Sequence, residues 1–300
     1  MATDIPPNAM NPTHPVSPVL KQILALRRKA EENLRNVRRK LVVTGGKGGV
    51  GKSSITANLA AVLTKDGFKV GVLDADVQGA SLARMLGMTD SASSMPSGRG
   101  FQGIQVVSMG TCFGQREGSR GALPELRADS AWQSAFDAGI VREFIVESNW
   151  GELDFLLIDT PPASWEILAA LSGLIPDLEG CLMVTQPADA ARNLLGRSIS
   201  ICDSLNVPVL GIVENMAPWE CPHCGRDVPL FDGSGTGPDM PAPWPLLGSI
   251  PFDPRMGIVS PEEGPFVARY PESPAGKALA ALALSLARLE NEKRAALESL

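Results

Sequence analysis

The chain has 300 residues, 44% hydrophobic and 20% charged, with a formal net charge of -6 and a pI near 5.1; this is core-forming composition without an overall basic footprint, which argues against nucleic acid as a partner. The longest near-continuous apolar stretch, Ala278 to Ala287, falls well short of the roughly 20 residues that span a bilayer, and the N-terminus lacks the charged-then-apolar order of a signal peptide, so no membrane partner is expected and a soluble, cytoplasmic protein is predicted. Five cysteines, an odd number without regular spacing, argue against a disulfide framework and for reduced thiols; Cys112, Cys181 and Cys202 carry no pattern, and Cys181 reads as a buried strand residue.

Residues 1–18 hold five prolines and few apolar side chains, a composition that cannot bury enough surface to offset chain entropy, and are predicted to be disordered. Residues 19–40 predict a basic helix with Val19, Ile23, Leu26, Leu34 and Val37 along one side and eight Lys and Arg residues forming a solvated face. From Leu41 onward, apolar runs of strand length alternate with helix-like stretches: "LVVT", "KVGVLD", "IQVVS", "LDFLLID", "CLMVT", "VLGIVE" and "LLGSI". Runs without polar alternation are buried on both faces, which predicts a doubly wound α/β domain over residues 41–300 with a mostly parallel sheet of about seven strands. Two stretches rich in small and turn-forming residues, Ser91 to Asp129 and Asp232 to Pro245, read as loops. Leu279, Leu282, Leu286 and Leu289 stand at helical spacing in a final helix from Ala275.

"GGKGGVGKSS" begins right after the first strand, and Gly46 to Ser53 satisfies G-x-x-x-x-G-K-[ST]. Its glycines let the backbone wrap with N–H groups turned toward phosphate oxygens, and the following helix adds the positive end of its dipole. Gly46, Lys47, Gly48, Gly49, Val50, Gly51, Lys52, Ser53 and Ser54 are thus a predicted nucleotide site of a P-loop NTPase, with Lys52 on the β and γ phosphates and the Ser53 hydroxyl on Mg2+. In "VLDADVQGAS", Asp74 and Asp76 are two apart in extended chain and can share a side facing the phosphate end of the sheet. "LDFLLIDTPP" ends its strand in Asp159, where such proteins keep the carboxylate that holds Mg2+, usually through water.

"ENMAPWECPHCG" places Cys221 and Cys224 in a C-P-x-C-G turn. A two-residue spacer puts both sulfurs on one side, but a tetrahedral site wants four ligands and the chain has no second such pair. Half of an iron-sulfur site, half of a zinc ribbon, and a pair of unliganded thiols all fit the residues; His223, between the two, is expected to point outward.

Lys47 is a second lysine within the loop, and with it "KGGVGKSS" resembles the deviant Walker A of the MinD/ParA/nitrogenase-iron-protein class. That resemblance implies that Lys47 reaches the partner's nucleotide across a dimer interface, that Asp76 orients the attacking water, and that Asn215 reads adenine, favouring ATP over GTP. Within the class, the ordered set "KGGVGKSS", "LDADVQGAS", "DFLLIDTPP", "VTQP", "GIVENM" with "CPHCG", "LLGSIPFDP" and "PESPAGKA" resembles the Mrp/ApbC-type ATPases, carriers of iron-sulfur clusters. The resemblance implies a homodimer in which two C-P-x-C pairs share one bridging [4Fe-4S] cluster, held at Cys221 and Cys224 and passed from cluster donors to apo iron-sulfur client proteins. A twofold axis supplies the missing ligands because an isologous interface presents the same patch from each copy.

The chain departs from the pattern at "PPASWE", where the family continues P-P-G-T-G-D: Ala163, Trp165 and Glu166 replace two glycines and an acid, while Ser164 keeps a hydroxyl. Trp132 and Gln133 stand in a W-R-G-P stretch, and Ala80 replaces a proline. Slow or partner-dependent hydrolysis is the expectation. Rival expectations are a MinD/ParA-type positioning switch, which gives "CPHCG" no role but would use the basic helix; a nitrogenase-like reductase, disfavoured because no cysteine lies between Trp132 and Gly180; and an inactive scaffold.

Overall fold

A computed structural model describes residues 17–77, 79, 81–88, 97–109, 130–162, 164–221, 223–231 and 244–298. The expected disorder of residues 1–16, Cys112 and most of the two expected loops lie outside these residues. In chain order the elements are α1 (Pro18–Leu34), β1 (Val37–Thr44), α2 (Lys52–Lys65), β2 (Val70–Asp74), α3 (Leu82–Met85), β3 (Ser97–Arg99), β4 (Gln105–Val107), α4 (Ser130–Glu147), β5 (Leu153–Asp159) and α5 (Trp165–Leu174). There follow β6 (Gly180–Thr185), α6 (Asp189–Ser204), β7 (Val209–Ala217), β8 (Trp219–Glu220), β9 (Asp227–Val228), β10 (Leu246–Pro251), α7 (Phe266–Arg269) and α8 (Pro274–Glu298).

Eight strands form one sheet in the order β10-β7-β6-β1-β5-β2-β4-β3, and β8 pairs with β9 in a separate hairpin. Every pairing in the sheet is parallel except β3 with β4. All seven apolar runs are strands of this sheet; the eighth, β3, is a short antiparallel edge whose "SGR" has no hydrophobic signature. The central strands are apolar throughout because both faces are covered: β2 and β6 are buried at every position. One face packs Leu41, Val43, Val72 and Leu157 against α2 and α8, with Leu279, Leu282 and Leu286 of α8 buried there. The other packs Val42, Leu156 and Ile158 against α1, α4, α5 and α6. Burial of this kind contributes about 25 cal/mol per Å2 of apolar surface, so two full cores secure the central strands more firmly than any single contact could.

The basic helix is shorter than expected. α1 ends at Leu34 and β1 opens at Val37, so residues 37–40 pair with β5 from Val37↔Leu153 to Lys40↔Leu156 rather than continuing the helix. Aliphatic β1 gains a central position in the sheet, and tertiary pairing overrides the helical propensity of "RRK". Arg39 is accordingly buried. Its fork donates to both carboxylate oxygens of Glu179 at 2.6 and 2.7 Å, it also donates to the Leu286 carbonyl, and it lies over the Phe155 ring at 5.0 Å. Of the apolar side predicted for the helix, Leu34 is buried but Ile23 and Leu26 are exposed. The solvated basic face is found further up α1, where Arg27 pairs with Glu31 and Lys29 with Glu147 of α4.

Candidate functional site

The phosphate loop fills the turn from β1 into α2, and β1 lies between β5 and β6 at the middle of the sheet. Open α/β sheets bind ligands outside such carboxyl strand ends. Gly49 and Gly51 take φ of 77° and 91°, left-handed values that glycine adopts without steric cost. A side chain at position 51 would also collide with the Asn215 amide. Two side-chain amides brace the loop from outside: Asn215 Nδ2 donates to the Val50 carbonyl at 2.9 Å, and Gln186 Nε2 donates to the Gly49 carbonyl at 3.1 Å. Lys52 opens α2, whose first N–H groups have no partner within the helix and face the loop.

Three charged side chains converge here. Lys52 is 7% exposed, and burial lowers its pKa while Asp159 and Asp76 oppose that shift. Asp159 ends β5 fully buried, and burial pushes its carboxyl up to about 7 against the pull of the nearby Ser53 hydroxyl, Lys52 and the Thr56 hydroxyl. Yet neither of its buried oxygens has a hydrogen-bond partner, and Thr56 spends its proton on the Lys52 carbonyl at 3.0 Å. A buried carboxylate left this way is costly unless a cation meets it. An oxygen-only pair of Ser53 hydroxyl and Asp159 carboxylate fits Mg2+, a hard cation that keeps most of its waters.

The two aspartates after β2 divide. Asp74 stands in register with Asp159, is 1% exposed, and is held far above the ordinary carboxylate range by burial and by Asp159. It accepts from Ser108 Oγ at 3.0 Å and from the Asp76 N–H at 3.2 Å, a role inside the sheet rather than at the phosphate. Asp76 is half-buried and accepts from the Gly79 N–H at 2.9 Å. Lys47 is exposed at the loop's outer edge. Thus Gly46 to Ser54, Asp76, Asp159 and Asn215 gather at one end of the sheet. Asn215, expected to meet the base, is 3% exposed and tied to the loop itself. Gln186 and Ser108 carry roles that sequence reading missed; "VTQP" was the only signal for Gln186.

The cysteine pair lies on a different kind of support. β7 leads through Pro218 into β8, which pairs antiparallel with β9 through Trp219↔Val228 and Glu220↔Asp227. Cys221 N–H donates to the Arg226 carbonyl and the Gly225 N–H donates to the Cys221 carbonyl, both at 2.9 Å, with Gly225 at φ 66° closing the turn. Cys221 is half-exposed and Cys224 exposed. The backbone N–H groups of His223 and Cys224, then the Cys224 thiol, hold the Cys221 thiol below its ordinary value, which favours the thiolate that ligates metal. His223 is exposed, as anticipated. Among the described residues no group of three or more His, Cys, Asp or Glu side chains is placed to hold a metal ion. Cys181 on β6 and Cys202 on α6 are both fully buried.

In "PPASWE", Ser164 Oγ donates to the Pro161 carbonyl at 3.0 Å rather than capping α5, and Trp165 is 56% exposed at the helix start. Ala163, Ala80 and the Trp132 side chain lie outside the described residues; Gln133 donates to Asp137 within α4 at 2.9 Å.

A family model described as NUBPL iron-transfer P-loop NTPase, of ParA type, matches residues 36–287. The chain belongs to this family. Relatives of this NUBPL-type chain include the iron-sulfur cluster carrier protein of Methanococcus maripaludis, 37% identical over 244 residues that cover 79% of this chain and 80% of that protein. The human cytosolic Fe-S cluster assembly factor NUBP2 is 35% identical over 262 residues, covering 84% and 93%. A nucleotide-binding protein of Archaeoglobus fulgidus solved with ADP superposes with a TM-score of 0.56 at 29% identity, covering 76% of this chain and 87% of that one. The cell division ATPase MinD of Pyrococcus furiosus, TM-score 0.58 and 23% identity over 84% and 99% of the two chains, shares the fold. No helix among the described residues is long and apolar enough to cross a membrane.

Proposed function

We propose that this protein is a Mg2+-dependent ATPase that carries an iron-sulfur cluster. Two copies share one [4Fe-4S] cluster through Cys221 and Cys224 of each, receive it from donors and pass it to cytoplasmic apo-proteins. The observation that supports this most directly is the hairpin turn itself. It presents a half-exposed and an exposed thiol, the first favoured as thiolate by backbone N–H groups, and among the described residues no third His, Cys, Asp or Glu joins them in a group placed to hold a metal ion. Half a ligand set at an exposed turn suits a cargo that must be shared to be held and exposed to be released. The relatives named as carriers and assembly factors support the same reading.

At the phosphate end, the loop N–H groups and the start of α2 bind the phosphates, and Lys52 sets its charge against the β and γ groups. Ser53 and Asp159 would hold Mg2+, which when bound would neutralise phosphate charge. Asp76 holds the attacking water, and Lys47 of each copy reaches the other's nucleotide, tying hydrolysis to dimer closure. The second amide hydrogen and Oδ1 of Asn215 are the atoms that would meet an adenine edge. Ala163 and Trp165, in place of glycines, stiffen the segment after Asp159, so turnover is slow without a partner.

Iron, acid-labile sulfide and zinc per subunit in protein reconstituted without oxygen, beside a Cys221→Ser/Cys224→Ser double variant, test the proposal. About two iron and two sulfide per subunit, lost in the variant, is the expected result for a shared four-iron cluster. Zinc near half an equivalent, or no metal, would refute it.

A further inference from the structure

We propose that Gln186 is a positioning residue that links the phosphate loop to the cysteine hairpin, its single amide nitrogen donating both to the Gly49 carbonyl and to the Met216 sulfur. This rests on the nucleotide-and-cluster reading above and adds how the two sites communicate.

The two bonds from Gln186 Nε2 measure 3.1 Å to Gly49 O and 3.0 Å to Met216 Sδ. Asn215, the residue before Met216, binds Val50 O at 2.9 Å. In a trans peptide the carbonyl oxygen and the next N–H point in opposite directions. Pulling the Gly49 and Val50 carbonyls outward therefore turns the Val50 and Gly51 N–H groups inward, toward where phosphate oxygens sit. The orientation of two loop peptides and the position of the end of β7 are fixed by the same pair of amides.

Met216 itself is unusual. It holds φ at 59°, a left-handed value that a long side chain adopts only when its surroundings impose it, and the Gln186 bond to its sulfur is one such constraint. It also stands five positions before Cys221, with Ala217 fastened to β10 through the Phe252 N–H at 3.0 Å. Phosphate bound to the loop fixes the Gly49 peptide and so holds Gln186 and Met216. When those contacts weaken, Gln186 is released and the strained Met216 backbone relaxes, changing how the chain enters the hairpin. The two sites thus share one element whose state both ligands bias, the physical requirement for coupling.

The test uses the full chain with its reconstituted cluster. The rate of cluster loss to a chelator is measured with and without a saturating non-hydrolysable ATP analogue and Mg2+, beside the analogue's Kd. In the wild type the analogue should change the loss rate about 5-fold or more. Gln186→Met, which cannot donate, should weaken analogue binding about 3- to 10-fold and bring the loss-rate ratio at saturation close to one. Met216→Leu keeps the Gly49 bond, so its Kd should stay unchanged while the ratio falls by at least half; a purely structural role would not move that ratio. If Gln186→Met does not fold, Met216→Leu decides alone. A wild-type ratio of one, or a full ratio kept in either folded variant, overturns the link. A wild type that holds no cluster or no nucleotide refutes the proposed function, and the link falls with it.

Discussion

The phosphate loop after β1 and the cysteine hairpin after β7 are far apart in sequence and are both met by β7, whose Asn215 braces the loop and whose end leads into the hairpin, yet they are built on opposite plans. The loop is anchored: its strand is central, two of its carbonyls are gripped by Gln186 and Asn215, and Lys52 and Asp159 behind it are buried, Asp159 without a hydrogen-bond partner. The hairpin is two short strands, mostly exposed, held by a few backbone bonds. A rigid, water-poor site favours strong electrostatics toward a small charged ligand, whereas an exposed half-site favours exchange. Damage at the first should therefore spread to the whole fold, and damage at the second should stay local.

The largest expected effect is at Lys52. Lys52→Ala removes the charge that faces the phosphates and leaves Asp159 and Asp76 uncompensated, so nucleotide affinity should fall on the order of a thousand-fold by calorimetry; a fall below ten-fold would mean that the loop N–H groups carry the binding. Next, Glu179→Ala strands the buried Arg39 fork under β1 and should cost about 3 kcal/mol in urea unfolding. A loss under 1 kcal/mol would show that the embedded region is less tightly coupled than its burial suggests.

The third test reverses sign. Folding raises the Asp159 carboxyl from its ordinary 3.8 to about 7. Between those values the folded chain keeps a proton that the unfolded chain has lost, so metal-free stability should decline as pH rises from about 4 to about 7. Burial raises Asp74 too, in the same direction. Asp159→Asn should flatten that decline and stabilise the metal-free protein at pH 8 by about 2 kcal/mol, while abolishing any added stability from Mg2+ and nucleotide. A variant less stable than wild type at pH 8 would contradict it. The smallest global effect belongs to the hairpin: Gly225→Val, forced to φ 66°, should cost about 1 kcal/mol locally, leave the global melting temperature within a degree, and accelerate cluster loss to a chelator. A melting temperature lowered in step with cluster retention would erase the contrast between the two regions.

Much of this was legible in the chain itself. Seven strands, the phosphate loop, Asp159 at its strand end and the C-P-x-C-G turn are written in local terms: apolar runs of fixed length, glycines where the backbone must turn left-handed, and two cysteines spaced by a turn. These signals survive without tertiary context because each is set by backbone sterics or by the periodicity of one element. α1 ends earlier than its local pattern predicts because residues 35–40 suit a helix locally, and only pairing with β5 makes Val37 onward a strand.

What the sequence determined was therefore the α/β order of elements and the chemical inventory of both sites. The tertiary structure alone decided which members of that inventory are spent internally and which face a ligand. Asp74 and Asp76 look equivalent in "LDAD", but register with Asp159 and the reach of Ser108 draw the first into the sheet. Gln186 and Met216 look like ordinary residues at two strand ends, and Asn215 stands out only by resemblance as a base reader, until parallel pairing of β6 with β7 brings all three under the phosphate loop. The reason is physical: burial and hydrogen-bond partnership are properties of neighbours far apart in the chain, which no local pattern encodes.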